Sequence, residues 1–181
     1  GWHLVNTDTN LQTNIPLTGR GTLGHYQPFQ VGTGLYLTLP DGERVGFTFQ
    51  PEKQEIPGFV YYRPAWVADS GVDYTLSSVN VLLTSASGKL YDVKSGQPYN
   101  PANRLFEGHQ YTLTAPDGNI YHLDALGKVQ EQIAPSGVKF IYSDSGITSS
   151  TGEVIRFVQD EQGRLSEITA PDGQAIAYTY D

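Results

Sequence analysis

Residues 160–181 read DEQGRLSEITAPDGQAIAYTYD, and turn chemistry brackets an alternating run at both ends of it. Asp160 leads through Gly163 to Arg164. Pro171-Asp172-Gly173 follows, and Ile176, Tyr178 and Tyr180 then alternate with small or polar residues up to Asp181. Proline presets φ for a turn, aspartate bonds its own downstream backbone, and glycine takes a positive φ. Alternation between such turns predicts an antiparallel hairpin rather than a helix. The same text occurs once before. Gly127-Lys128-Val129, through Ala134-Pro135-Ser136-Gly137 to Tyr142, aligns with Gly163-Arg164-Leu165, through Ala170-Pro171-Asp172-Gly173 to Tyr178, at an offset of 36 residues without a gap. A hairpin cannot bury its face alone, so a repeated hairpin stacks against its copies to extend a sheet.

The rhythm runs outward from there. Glycines stand at 118, 127, 137, 146, 152, 163 and 173, and this spacing of turn signals describes an antiparallel meander from Gln110 onward. Two turn types alternate. One is Pro-Asp-Gly or Pro-Ser-Gly, at 116–118, 135–137 and 171–173. The other is Asp-x-x-Gly followed by a basic residue, at 124–128 and 160–164.

Upstream, Leu35, Leu37 and Leu39 alternate with polar residues. Beyond Pro40-Asp41-Gly42, Val45, Phe47 and Phe49 do the same, which predicts a hairpin covering a core on one side. Pro51, Pro57 and Pro64 mark 51–75 as a long excursion with one short strand at Phe59–Tyr62. Residues 74–93 predict another hairpin, turning at Ser87-Gly88, and 94–110 a loop.

The bulk numbers agree. In 181 residues there are 20 Gly, 11 Pro and 12 Tyr, and no window of helical length has a clean 3.6 period. The predicted fold is all-β: an antiparallel twisted sheet of repeated hairpins with an irregular β-rich N-terminal half. Two regions are expected, 1–109 and 110–181, with the sheet continuing across their boundary. The core of the last strands is expected at Tyr111 with Leu113, Ile155 with Phe157, and Ile176, Tyr178 and Tyr180 on one face. A net charge of −8 argues against nucleic acid or an anionic membrane as partner. With no Cys there is no disulfide or thiolate metal site, which fits a bacterial extracellular protein. No signal-like or membrane-spanning run is present. The absence of Met suggests a processed product or a piece of something larger.

Tyr178-Thr179-Tyr180-Asp181, Asp160 through Gly163-Arg164-Leu165, and Pro171-Asp172-Gly173 together resemble the YD repeat of Rhs and YD-repeat proteins. Tyr121-His122-Leu123-Asp124 with Gly127-Lys128-Val129 is a looser copy, with Leu for the second Tyr and Lys for Arg. The resemblance covers about 110–181. Upstream, Gly1-Trp2-His3-Leu4 and the hairpin at Leu39-Pro40-Asp41-Gly42 are similar in style only. In that family the repeats build long sheets that curl into shells or spirals, in Tc-type and Rhs toxins, teneurins and wall-associated proteins. The resemblance therefore implies a non-enzymatic structural module of a large bacterial secreted or cell-surface protein. Its implied partners are neighbouring repeat modules or further copies of itself, met by strand pairing. The Asp-Pro-centred self-cleaving motif that ends many Rhs shells is not found, and so few repeats cannot close a large shell.

Other chemistry is weakly signalled. No Gly-x-Ser-x-Gly elbow exists, and the four histidines, His3, His25, His109 and His122, are far apart in sequence and read as surface or strand residues. Glu52 with Glu55, and Asp69 with Asp73, are carboxylate pairs with no sign of facing across a cleft. The stretches 68–73 (ADSGVD) and 6–10 (NTDTN) offer oxygen ligands without the spaced series of a calcium loop. No catalytic residue, metal or cofactor is expected. The rival function is carbohydrate binding or adhesion to a surface glycan through Tyr61, Tyr62, Trp66 and Tyr74, with Tyr26 and Tyr99 nearby in the irregular half. Ordinary core packing competes with it for the same side chains.

Overall fold

The computed structural model describes residues 12–13, 26–39 and 42–180, the first pair by backbone. His3, His25, the 1–4 and 6–10 stretches, Pro40-Asp41 and Asp181 lie outside the described residues. Every regular element among the described residues is a strand. The first half contributes β1 (Gln12–Thr13), β2 (Gly34–Thr38), β3 (Arg44–Phe49), β4 (Glu52–Ile56), β5 (Phe59–Arg63), β6 (Trp66–Ala68), β7 (Thr75–Ser78), β8 (Leu83–Ala86) and β9 (Lys89–Asp92). The second half contributes β10 (Tyr111–Thr114), β11 (Ile120–Leu123), β12 (Val129–Ile133), β13 (Lys139–Ser143), β14 (Gly146–Ser149), β15 (Val154–Gln159), β16 (Leu165–Thr169) and β17 (Ala175–Ala177).

They form three antiparallel sheets, ordered β1-β2-β3-β6, β4-β5-β8-β9 and β17-β16-β15-β14-β13-β12-β11-β10-β7. From β10 to β17 each strand pairs with its successor, the meander that the glycine spacing predicts. β7 pairs with β10 and brings a segment of the first half into the long sheet.

The excursion is more regular than expected. It holds β4, β5 and β6 rather than one strand. The three prolines sit at strand ends, where no ladder N–H is needed, so they punctuate the strands instead of forbidding them. Pro57-Gly58 is the two-residue connection of the β4–β5 hairpin, with Ile56 opposite Phe59. The Ser87-Gly88 hairpin forms as predicted, with φ of 52° and 79° at its two turn residues. The run before it splits, however. Thr75–Ser78 joins the long sheet and Leu83–Ala86 the small one.

Two apolar clusters hold the sheets together. One joins Leu35, Leu37, Leu39, Val45 and Phe47 of the β2–β3 hairpin to Leu76, Tyr111, Leu113, Leu123 and Val129 of the long sheet. The other gathers Phe29, Phe49, Val79, Leu83, Leu90, Tyr99 and Phe106. Trp66 packs against both. Its indole N–H donates to Ser78 Oγ at 2.9 Å, so its polar end is satisfied where its rings are half-buried.

These clusters draw on β7, β10, β11 and the start of β12, and on nothing beyond them in the long sheet except a contribution from Tyr142. The expected core pair Tyr111 and Leu113 is fully buried. Ile155 and Phe157 are half-buried. Ile176, Tyr178 and Tyr180, also expected in the core, are exposed at 60, 41 and 47%. Alternation assigned their face correctly, since Ile176 lies opposite the buried Ile168. No second layer covers that face at β17 among the described residues.

Candidate functional site: an open sheet edge and a histidine cluster

The repeat seen in sequence is a repeat in geometry. The ladder shifts register between His122 and Leu123 opposite β12, and again between Val158 and Gln159 opposite β16, 36 residues on. The Asp-x-x-Gly turns superpose bond for bond. Asp124 Oδ1 accepts from the N–H of Leu126 at 2.8 Å and of Lys128 at 2.9 Å, and Asp160 Oδ1 accepts from Gln162 at 3.0 Å and Arg164 at 2.8 Å. In the other turn type, the Ala134 N–H reaches Val138 O at 2.9 Å, as Ala170 N–H reaches Gln174 O at 2.7 Å. Pro171 occupies the turn between them. Gly173 N–H returns to Ala170 O at 2.9 Å, and Asp172 Oδ1 takes the N–H of Gln174 at 3.0 Å.

One difference is informative. In the first copy Lys128 pairs with Asp144 at 2.7 Å. At the matching place in the second copy the guanidinium of Arg164 lies 4.5 Å from the Tyr180 ring centre, and the Tyr180 hydroxyl donates to Leu165 O at 2.7 Å. An ion pair and a cation–π contact thus tie the same basic turn residue to the same point of the following segment. Arg164 also binds Asp160 Oδ2 through Nε at 2.8 Å. Burial opposes ionisation of Asp160, but the bonds from Arg164 and Gln162 outweigh it and hold its carboxyl below the usual value. Bonds to Asn119 and to Lys128 likewise lower Asp117 and Asp144. A lowered carboxyl contributes stability that is complete above its unfolded value, about pH 3.9, and lost as pH falls through the folded one. Melting temperature is therefore expected to drop as the buffer goes from pH 5 to pH 3, and the drop should be smaller in Asp160→Asn. Equal slopes in the two proteins would contradict these turn bonds.

β17 is the counterpart of β13. β13 has a neighbour on each side, and the Lys139 carbonyl accepts from the Ser150 N–H at 2.8 Å on the β14 side. β17 is bonded to β16 alone among the described residues. Tyr178 N–H donates to Ser166 O at 2.9 Å and Gln174 O accepts from Ala170, so even-numbered residues face β16. By alternation the N–H and C=O groups of Ala175 and Ala177 face outward, as those of Lys139 face β14.

The aromatic candidates are dispersed. Trp66 is wedged between the two clusters, within 5.0 Å of the Phe49 ring centre and 6.3 Å of Tyr111. Tyr62 and Tyr74 pack against different clusters, and Tyr99 is buried with its hydroxyl donating to Val79 O at 2.8 Å. Tyr61 is half-buried and stacks on Phe59 at 6.0 Å. Glu52 and Glu55 lie on β4, where Glu55 pairs with Lys53.

The fold does gather two histidines. His122 in β11 stands opposite Glu131 in β12, on the polar face of the long sheet. His109, just ahead of β10, lays its ring on that of His122 at 3.8 Å and 11°. Glu131 Oε2 is 3.6 Å from His122 Nε2 and 3.8 Å from His109 Nε2, while Lys139 Nζ is 3.9 Å from Oε1. Thr112 Oγ1 is 3.1 Å from His122 Nδ1. Burial, and next the ring of His109, lower the proton affinity of His122 against the opposing pull of Glu131. Sequence spacing could not show this cluster, because it depends on the registers of three successive segments at once. Pairing the Asp-x-x-Gly hairpin of 120–133 residue by residue from its turn sets His122 against Gln130, and it is the bulge between His122 and Leu123 that brings Glu131 opposite it.

The fold and its bond-for-bond repeat define an all-β protein extended by hairpin units. The family model described as RHS Repeat matches residues 160–181, so the chain carries an Rhs/YD repeat. No curated protein matches the chain. No helix among the described residues is long and apolar enough to cross a membrane.

Proposed function

We propose that the chain is a non-enzymatic structural module of a large secreted or cell-surface YD-repeat protein, and that it extends a sheet through the free edge of β17. The observation that carries this is the contrast between two equivalent strands. Phe140 and Tyr142 of β13 are half-buried between β12 and β14, whereas their counterparts Ile176 and Tyr178 are exposed, with β16 on one side and no strand on the other among the described residues. An edge with free backbone groups and an apolar face recruits a further strand. The partner is a strand of the neighbouring repeat module or of another copy of this chain. The described part of residues 1–109 caps the sheet, the hairpins from residue 110 onward repeat, and β7 carries the sheet across.

Light scattering with electron microscopy of the same sample tests the proposal. Concentration-dependent oligomers or filaments are expected, and Ala177→Pro should abolish them, since it removes an outward N–H without touching the β16 ladder. A chain that stays monomeric at high concentration, or a proline variant that assembles like wild type, would contradict it. Adhesion to a glycan is a second function, favoured by the stacked Phe59–Tyr61 pair on the protruding β4–β5 hairpin, where Phe59 is 63% exposed. Glycan-array binding that is lost in Phe59→Ala would support it.

A further inference from the structure

We propose that His109, His122 and Glu131 form a binding site for one divalent transition-metal ion of the zinc type on the polar face of the long sheet. Two imidazole nitrogens and one carboxylate oxygen are a donor set for zinc, copper or nickel, whereas calcium and magnesium take oxygen. The three donor atoms lie within 4.8 Å of one another. Ligands at zinc distances in a tetrahedron stand about 3.3 Å apart. The Glu131 to histidine separations of 3.6 and 3.8 Å therefore need to close by only a few tenths of an ångström.

The rings set the harder condition. Stacked at 11°, their in-plane lone pairs run side by side and do not converge on one point. One ring has to turn, and the surroundings say which. His122 sits within a strand, with its side chain 16% exposed and Nδ1 against Thr112 Oγ1. That contact suits the tautomer in which Nδ1–H donates to the hydroxyl and Nε2 keeps its lone pair for a metal. His109 lies outside the strand, follows Gly108, and has its side chain 49% exposed. It is the ring that turns.

Glu131 divides its two oxygens. Oε2 faces the histidines and Oε1 faces Lys139. The carboxylate is then a one-oxygen ligand, and the lysine ammonium is the cation a metal competes with. Three protein ligands leave a position for water or for a donor from another molecule. The ion would join the segment before β10 to β11 and β12, a cross-link at the start of the repeating meander.

Isothermal titration of untagged chain with zinc chloride at neutral pH tests the site. One zinc per chain is expected, with the melting temperature raised by about 5–10 °C at a hundredfold excess of zinc over its dissociation constant. His109→Ala, at an exposed position outside the strands, should fold normally by circular dichroism and lose the binding, as should Glu131→Gln. Lys139→Gln should bind zinc more tightly than wild type, a gain that misfolding cannot imitate. Absence of zinc binding in the wild-type chain would overturn the proposal. So would wild-type affinity in both His109→Ala and Glu131→Gln, which would place the metal elsewhere.

Discussion

Phe49→Ala is expected to cost about 3–5 kcal/mol of stability, read as a lowered urea midpoint. Phe49 is fully buried at the end of β3, and the rings of Phe29, Trp66 and Tyr99 stand 5.7, 5.0 and 5.8 Å from it. Removing the ring loses its transfer free energy and leaves a cavity walled by other large rings, which cannot collapse into it without giving up their own edge and stacking geometry. The site also lies beside Trp66, which packs against both clusters. Phe59→Ala removes the same atoms from an exposed position and is expected to stay within about 0.5 kcal/mol of wild type. Comparable losses for the two variants would mean that the second cluster is not a core.

Gly146→Ala should cost on the order of 3 kcal/mol, although it adds a single methyl group. Gly146 closes the β13–β14 hairpin opposite Ser143 with φ at 145°, a region that side chains rarely enter. A Cβ there would also strike the carbonyl oxygen of Ile155 in β15, a backbone atom fixed by the ladder. Gly152 separates the two effects. Its φ is 96° but the space around it is open, so Gly152→Ala carries conformational strain alone, about 1 kcal/mol. Equal losses at the two glycines would show that β14 and β15 do not approach as closely as described.

The repeat was legible because its signals are local. Proline, aspartate and glycine in turns act on the backbone beside them, and the offset of 36 residues carries the bulge and the turn bonds with it. The apolar face of β2–β3 was legible for the same reason, since strand alternation is a property of the strand itself. Features that depend on what lies across from a segment were not. Ile176, Tyr178 and Tyr180 show which side is apolar but not whether another layer covers it. Pro51, Pro57 and Pro64 argue against central strands over much of 51–75 and leave room for one short strand, because nothing in the sequence says that they fall between strands. His109, His122 and Glu131 meet only after β10, β11 and β12 are set in register. Nor does the sequence show that Tyr62 packs on the second apolar cluster and Trp66 on both.

The central claim is that β17 accepts a strand as β13 accepts β14, and residue-resolved amide hydrogen exchange over a concentration series tests it most directly. Ile176 and Tyr178 amides, facing β16, should be slow throughout. Ala175 and Ala177 amides, facing outward, should exchange freely in dilute solution and become protected as the chain assembles. Assemblies in which Ala175 and Ala177 remain unprotected, or a chain in which they are protected at every concentration, would contradict the claim.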